Sequence, residues 1–116
     1  MADFKKELDW AIKSLGLSDW EFELEYQNRG KRPPWTGEIE DDVDGCCKPV
    51  ARYKTAYMWI DPEGDNPIKV LFYEMIRVVM TDIGVDQNEH NCHQEFSWNM
   101  MSQIMVIAYS ADVATQ

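Results

Sequence analysis

Apolar and polar residues alternate along the chain from Trp20 to Tyr26. This period of two predicts a half-buried strand, with aromatic and aliphatic side chains on one face and three carboxylates on the other. In the preceding segment, residues 4–15, apolar positions recur at helical spacing instead. Gly16 follows where a helix commonly ends in a left-handed residue. The amino-terminal part of the chain is therefore predicted as a helix followed by a strand.

The central part of the chain predicts a hairpin. A short strand around Val43 to Cys47 and a longer strand from Tyr53 to Ile60 flank a segment that begins with Lys48 and Pro49. We expect the turn at these two residues, because a proline cannot donate a hydrogen bond to a central strand ladder. Large side chains occupy both faces of the longer strand, which predicts that it is the central strand. Residues 27–42 show no sustained apolar period and are predicted as a loop.

Two long helices are predicted in the carboxy-terminal half. The first begins at Asn66 and Pro67, which suit a helix cap and a first turn, and it ends at Gly84. The second runs from about residue 93 to residue 109. The methionines of both helices are expected to fill the core between them, and residues 110–116 are expected to fray. The main buried row of the second helix is predicted to be Phe96, Met100, Ile104 and Ile107.

The order helix, strand, hairpin, helix, helix predicts a single α+β domain that spans residues 1–116. We expect a small mixed or antiparallel sheet of at least three strands, packed against three helices. A chain of 116 residues is long enough for one real core. No apolar run approaches the roughly 18 residues that a membrane helix needs, and the amino terminus lacks the pattern of a secretory signal. These features predict a cytoplasmic protein that does not enter a membrane.

The net charge of the chain bears on which kinds of partner it can bind. Eleven basic residues stand against 21 acidic ones, which gives a net charge of −10. This charge opposes the phosphate contacts that drive nucleic-acid affinity, so direct DNA or RNA binding is not expected. The same negative field attracts basic protein surfaces, and it can imitate a nucleic acid to a protein that normally binds one. The alternative interpretation is that the charge only maintains solubility.

The densest acidic cluster lies in the predicted loop and the start of the hairpin. Trp35 precedes it and is a candidate interface anchor, because Pro33 and Pro34 stiffen its approach. Trp98 is likewise hard to place in the periodic core. We expect Trp35 and the acidic cluster to contact a basic partner. The cluster consists of Glu38, Glu40, Asp41, Asp42 and Asp44.

An odd number of cysteines predicts reduced thiols, as expected in a reducing compartment. They are Cys46, Cys47 and Cys92. Cys92 lies beside His90 and His93 in the densest group of potential soft-metal ligands. Because the spacing matches no familiar zinc pattern, a polar loop that leads into a helix is the preferred interpretation, and a metal site is the alternative.

The middle of the chain resembles small zincin-like metallopeptidase proteins that are often found in phages and prophages. In that family, an edge strand that ends in an aspartate-proline turn precedes a helix with the motif histidine-glutamate-x-x-histidine. The matching stretches here are residues 53–63, which end in Asp61-Pro62-Glu63, and residues 70–79. Residues 15–24 also resemble the first helix-to-strand turn of the family. The resemblance implies a zincin-like fold and a phage or prophage origin.

The motif of that family is degenerate in this chain. Its two histidines hold zinc from one helix face, and its glutamate activates a zinc-bound water. Here Tyr73 and Arg77 occupy the histidine positions, and only Glu74 is retained. A protonated guanidinium is repelled by Zn²⁺, and without zinc Glu74 has no acidified water to deprotonate. The chain is therefore predicted to be a pseudoenzyme without a metal, a cofactor or a catalytic residue.

Glu74 is interpreted as an exposed helix carboxylate that pairs with Arg77 three residues further on. Glu95 matches the place where many zincins supply a further ligand, so Arg77 could also pair with Glu95 and replace metal coordination by a salt bridge. The preferred function is non-catalytic binding of a basic protein, and the phage context implies inhibition of a nucleic-acid-binding defence protein. The alternative is a metal-dependent hydrolase with an unorthodox site around Glu74, Glu95, His90 and His93.

Overall fold

A computed structural model describes residues 4–37, 43–84 and 92–115, without the side chains of Arg29 and of residues 92–96. Within these residues the chain has an α+β fold, in which three helices pack with a three-stranded mixed sheet. The helices are α1 (Lys5–Ser14), α2 (Pro67–Asp82) and α3 (Cys92–Ala114). The strands are β1 (Glu21–Tyr26), β2 (Gly45–Val50) and β3 (Thr55–Ile60). The predicted fold class is confirmed.

The sheet has the order β1-β3-β2, so β3 is central as predicted. β1 runs parallel to β3, and β2 forms an antiparallel hairpin with it. The predicted position of the hairpin turn was wrong, because β2 continues through Pro49 and the turn occupies residues 51–54. A proline is excluded only where its missing N–H is needed by a ladder, and β2 is an edge strand with one unpaired side.

The amino-terminal helix and strand match their sequence patterns. Gly16 follows α1 with a φ of +70°, the left-handed conformation that a glycine adopts without strain. Along β1 exposed and half-buried residues alternate without exception. The half-buried side chains Phe22, Leu24 and Tyr26 pack against the core, which also contains Phe4, directly before α1, and Ala11 of α1.

Both predicted ends of α2 are confirmed. The Asn66 side chain accepts a hydrogen bond from the backbone N–H of Lys69 at 3.2 Å, and Pro67 occupies the first turn. Gly84 follows the helix with a φ of +89°. Between these ends α2 contacts β2, β3, α1 and α3, so it lies at the centre of the core.

The predicted buried face of α3 was wrong. Met100, Ile104 and Ile107 are 48%, 60% and 69% exposed. Trp98 and Ser102 are buried instead, and the half-buried residues of the same face are Met105, Val106 and Tyr109. The helix is apolar on more than one face, so its periodicity does not single out the face that packs. The prediction for Phe96 falls on a side chain outside the described residues.

The predicted fraying after residue 109 was also wrong, since α3 continues to Ala114. The Trp10 indole N–H donates a hydrogen bond to the Asp112 carboxylate at 2.9 Å. The ring of Trp10 also meets the ring of Tyr109, with 5.3 Å between their centres. These contacts tie the end of α3 to α1. None of the helices described is long and apolar enough to cross a membrane.

Candidate functional site

An ion pair joins Glu74 and Arg77, two residues of the α2 segment on which the resemblance to zincin-like proteins rests. The Nε atom of Arg77 donates a hydrogen bond to Oε2 of Glu74 at 3.3 Å. The predicted pairing within α2 is therefore confirmed, whereas the predicted exposure of Glu74 was wrong: this residue is only 5% exposed. Pairing of Arg77 with Glu95 concerns a side chain outside the described residues. At this position the helix thus carries a buried carboxylate with a cation beside it.

Burial has the largest effect on the pKa of Glu74. It raises the pKa of the carboxyl, and the positive charge and hydrogen bond of Arg77 offset only part of that rise. Burial alone would lower the pKa of Arg77, but Glu74, Tyr73 and Cys47 together raise it. The pKa values of both partners are thus raised for different reasons, that of Glu74 by burial and that of Arg77 by the groups around it. The pair therefore has a permanent cation and a carboxyl that is protonated more easily than usual.

The ring of Trp98, on α3, packs against the guanidinium of Arg77. The guanidinium carbon of Arg77 lies 5.6 Å from the centre of the Trp98 ring, within cation–π distance. Tyr73 meets the same ring edge to face, with 6.0 Å between the ring centres. Trp98, which the sequence pattern left difficult to place in the periodic core, is buried in the structure. It provides the surface on which both Tyr73 and Arg77 pack.

The ion pair borders an open cleft of about 710 Å³ between α2 and β2. A side chain at Gly45 would bring its Cβ within 2.5 Å of a Val70 methyl carbon, so the close approach of β2 to α2 requires a glycine. The cleft contains both cationic and anionic groups. From the strand side it is lined by Val43, Asp44, Gly45, Cys46 and Cys47, and from α2 by Lys69, Val70, Tyr73, Glu74 and Arg77.

The two thiols of the cleft are poor nucleophiles at neutral pH. Burial raises the pKa of Cys46 and raises that of Cys47 well above its usual value, and the nearby Glu74 carboxylate adds to both effects. Both cysteines are free. The reduced state of the thiols remains a prediction, and the Cys92 side chain, like His90, His93 and Glu95 of the alternative metal site, lies outside the described residues.

A row of carboxylates covers the opposite side of β1. Glu21, Glu23 and Glu25 are all exposed, and no ion pair links them to a cation among the described residues. Alternate residues of a strand are roughly 7 Å apart, so the row presents three negative charges at regular intervals. In the register of the sheet Glu23 faces Tyr57 of β3, and Tyr57 faces Lys48 of β2. Lys48, the cation that β2 carries at this level of the sheet, is thus two strands away from the row.

Trp35 lies on the same face of the sheet. It belongs to a short 3-10 turn, Pro34–Thr36, that contacts β2. Its ring centre is 6.3 Å from that of Tyr57, and both residues are half-buried. Asp44, at the end of the acidic cluster, lines the cleft on the other side of β2. Because Trp35 and Asp44 lie on different sides of β2, the structure does not bring them into one site. The other residues of the acidic cluster lie outside the described residues: Glu38, Glu40, Asp41 and Asp42.

Comparisons of the chain with protein-family models, with curated proteins and with solved structures gave no match.

The burial of Glu74 can be inferred from its spacing in the sequence, although its pairing with Arg77 suggested an exposed residue. Glu74 follows Leu71 by three residues and precedes Val78 by four, so it shares a helix face with two apolar residues. Both of these neighbours are fully buried. The acidic row of β1 was visible as the polar half of an alternating strand. The sequence did not indicate that this row would lie beside Tyr57, whose ring packs against Trp35.

Proposed function

We propose that the chain is a non-catalytic binding protein that engages a basic surface of another protein. The observation that carries this proposal is the row of exposed carboxylates Glu21, Glu23 and Glu25, which has no cation of its own strand to neutralise it. A segment of extended backbone with lysine or arginine at alternate positions has the same spacing of about 7 Å. Tyr57 supplies a half-buried ring next to the row, and Trp35 packs on the ring of Tyr57, as an interface with aromatic anchors would.

The absence of catalysis is part of the proposal and rests on residue identity. A general base needs a carboxylate that reaches water or a substrate. Glu74 is only 5% exposed and is hydrogen-bonded to Arg77, so its carboxylate has little access to either. The cation at the former ligand position also disfavours a divalent metal. The resemblance to phage proteins adds a partner class, a host defence protein that normally binds nucleic acid and would be inhibited by this acidic chain.

The binding proposal is tested by affinity capture from a bacterial lysate at low and high ionic strength. Three proteins are compared: the wild type, the triple variant Glu21→Gln/Glu23→Gln/Glu25→Gln, and a control triple variant with scattered substitutions. The control, Asp9→Asn/Glu63→Gln/Asp82→Asn, removes the same charge at exposed positions outside the row. We expect the wild type and the control to retain the same basic protein at low salt and the row variant to lose it. Equal capture by all three would contradict the proposal.

The acidic cluster at residues 38–44 is tested with the captured partner. Changing Glu38, Glu40, Asp41, Asp42 and Asp44 to their amides should slow association and flatten its dependence on ionic strength, because charge steering acts mainly on the association rate. The melting temperature should not fall. Unchanged association rates at both ionic strengths would assign this cluster to solubility.

The non-catalytic part of the proposal has its own measurement. Elemental analysis after mild dialysis should find no stoichiometric zinc in the purified chain, because Tyr73 and Arg77 replace both histidine ligands. About one zinc per chain would reject the pseudoenzyme and favour a hydrolase.

A further inference from the structure

α3 carries apolar side chains on two faces, and only one of them is packed. The packed face contains Trp98, Ser102, Met105 and Tyr109. The other face is exposed from Ser97 to the end of the helix, about five turns. Ile104 and Ile107, at 60% and 69% exposure, are among the most exposed large apolar residues in the described part of the chain. A patch of this kind on one helix marks an interaction surface more often than a chance exposure.

The exposed face has the spacing of a coiled-coil seam. Its residues follow one another at alternating distances of three and four positions, which keeps them in line when two helices wrap around each other. We call this row the α3 seam; it consists of Ser97, Met100, Ile104, Ile107, Ala111 and Ala114.

The α3 seam is complementary to itself when two copies run antiparallel. In the register centred between Ile104 and Ile107, Ile104 of each helix lies opposite Ile107 of the other helix. Met100 then meets Ala111, so that the long side chain fills the space that the small one leaves. Ser97 meets Ala114 at both ends. A parallel pair would instead place Met100 against Met100 and Ala111 against Ala111, which leaves one end crowded and the other open.

The charge distribution favours a second copy on this face over any other face. Each chain has a net charge of −10, so two copies repel each other wherever their acidic surfaces meet. From Ser97 to Thr115 the only charged residue is Asp112, which is bonded to Trp10 on the side of α1. The residues that flank the seam are uncharged as well: Met101, Gln103, Ala108 and Ser110. A charged partner helix would find no complementary charges there.

We infer that two copies of this chain form an antiparallel dimer through their α3 seams. The contact is a single pair of helices, which places it at the small end of stable interfaces and makes the dimer dependent on concentration. Because the two monomers carry like charges outside the seam, added salt should strengthen the dimer by screening their repulsion. This salt response is opposite to that of an ion-paired interface.

Sedimentation equilibrium over a concentration series, from the low micromolar to the millimolar range, tests the dimer. We expect wild type to pass from monomer to dimer and Ile104→Glu to weaken the dimer at least about tenfold, because a charge would be buried against isoleucine. The matched control is Ile83→Glu, the same change at a residue 67% exposed that lies outside α3. It should dimerise like the wild type. A wild-type chain that stays monomeric, or equal dimerisation of Ile104→Glu, would overturn the inference.

A mixing experiment tests the orientation. Ile104→Glu and Ile107→Lys should each dimerise poorly alone, while an equimolar mixture should recover the dimer, because the antiparallel register places the new carboxylate opposite the new ammonium. Circular dichroism of each variant checks that it is folded. A mixture of Ile104→Glu with Ile104→Lys places the charges together only in a parallel pair. Recovery in that mixture alone would overturn the antiparallel arrangement.

Discussion

α2 and α3 are neighbouring helices that are both rich in apolar residues, but they differ in which side chains are buried. A charged side chain is buried on α2, whereas large apolar side chains are exposed on α3. α2 is surrounded by the sheet and two helices, and even the carboxylate of Glu74 is buried on it. α3 is packed on one face, and Ile107 remains 69% exposed. The difference shows that the number of neighbours around a helix, rather than the polarity of a residue, decides burial in this domain. It also shows where the helices are vulnerable to substitution.

The largest effect is expected from a charge reversal on α2. Arg77→Glu would leave two carboxylates side by side, one of them buried, and should lower the free energy of unfolding by about 3 kcal/mol. Thermal and denaturant melts measure it. The control is Arg52→Glu, since Arg52 also lies over a ring, that of Tyr53 at 5.5 Å, but is exposed. Its reversal should change stability by no more than about 0.5 kcal/mol. Equal melts for both variants would mean that Arg77 does not support Glu74.

A smaller effect is expected where α3 meets α2. Trp98→Leu keeps an apolar side chain but removes the ring against Tyr73 and under Arg77, and it should cost about 2 kcal/mol. Trp98→Phe retains a ring and should lose less than half of that. Urea unfolding of the three proteins gives the comparison. If the two variants were equally stable, the filled volume rather than the aromatic contacts with Tyr73 and Arg77 would explain the contribution of Trp98 to stability.

The buried carboxylate should give α2 a dependence on pH that α3 lacks. The pKa of Glu74 is raised in the folded chain, so the folded state binds a proton more readily than the unfolded state. Its contribution to stability is therefore largest at low pH and falls as the pH rises from the ordinary glutamate range through the raised pKa. Glu74→Gln should remove this slope, visible as a difference between the two stability profiles. Parallel profiles would show that the carboxyl titrates normally.

The smallest effect is expected on the α3 seam in dilute solution. Ile104→Glu should change the unfolding free energy of the monomer by no more than about 0.5 kcal/mol, because the residue is 60% exposed and packs on nothing essential. Chemical denaturation well below the concentration at which the dimer forms measures it. A loss comparable to that of Trp98→Leu would place Ile104 in the core and remove the contrast between the two helices.

The sequence predicted those elements in which one local signal was sufficient. The alternation of β1 defined its two faces, and Asn66, Pro67 and Gly84 defined the ends of α2. Helix one and the central position of β3 followed from equally local patterns. In each case the pattern and the tertiary environment favour the same structure, so propensity was enough.

The rest depended on neighbours that a sequence does not show. The face of α3 could not be predicted, because both candidate faces are apolar and only the position of α2 distinguishes them. Pro49 was misplaced because its tolerance depends on β2 lying at an edge of the sheet. For the candidate site, the identity of the Glu74–Arg77 pair was predictable from helical spacing, but its burial under Trp98 required the packing of α3.

The parallel pairing of β1 with β3 also has a consequence for the order of folding. β2 and β3 are joined by a short turn and can pair within about 1–10 μs, as hairpins do. β1 must instead find β3 across the whole intervening chain, so we expect it to join the sheet later. During that interval β1 is an unpaired apolar strand that could associate with another chain. Glu21, Glu23 and Glu25 interrupt every such stretch with a charge, and the row thereby protects the folding chain from aggregation.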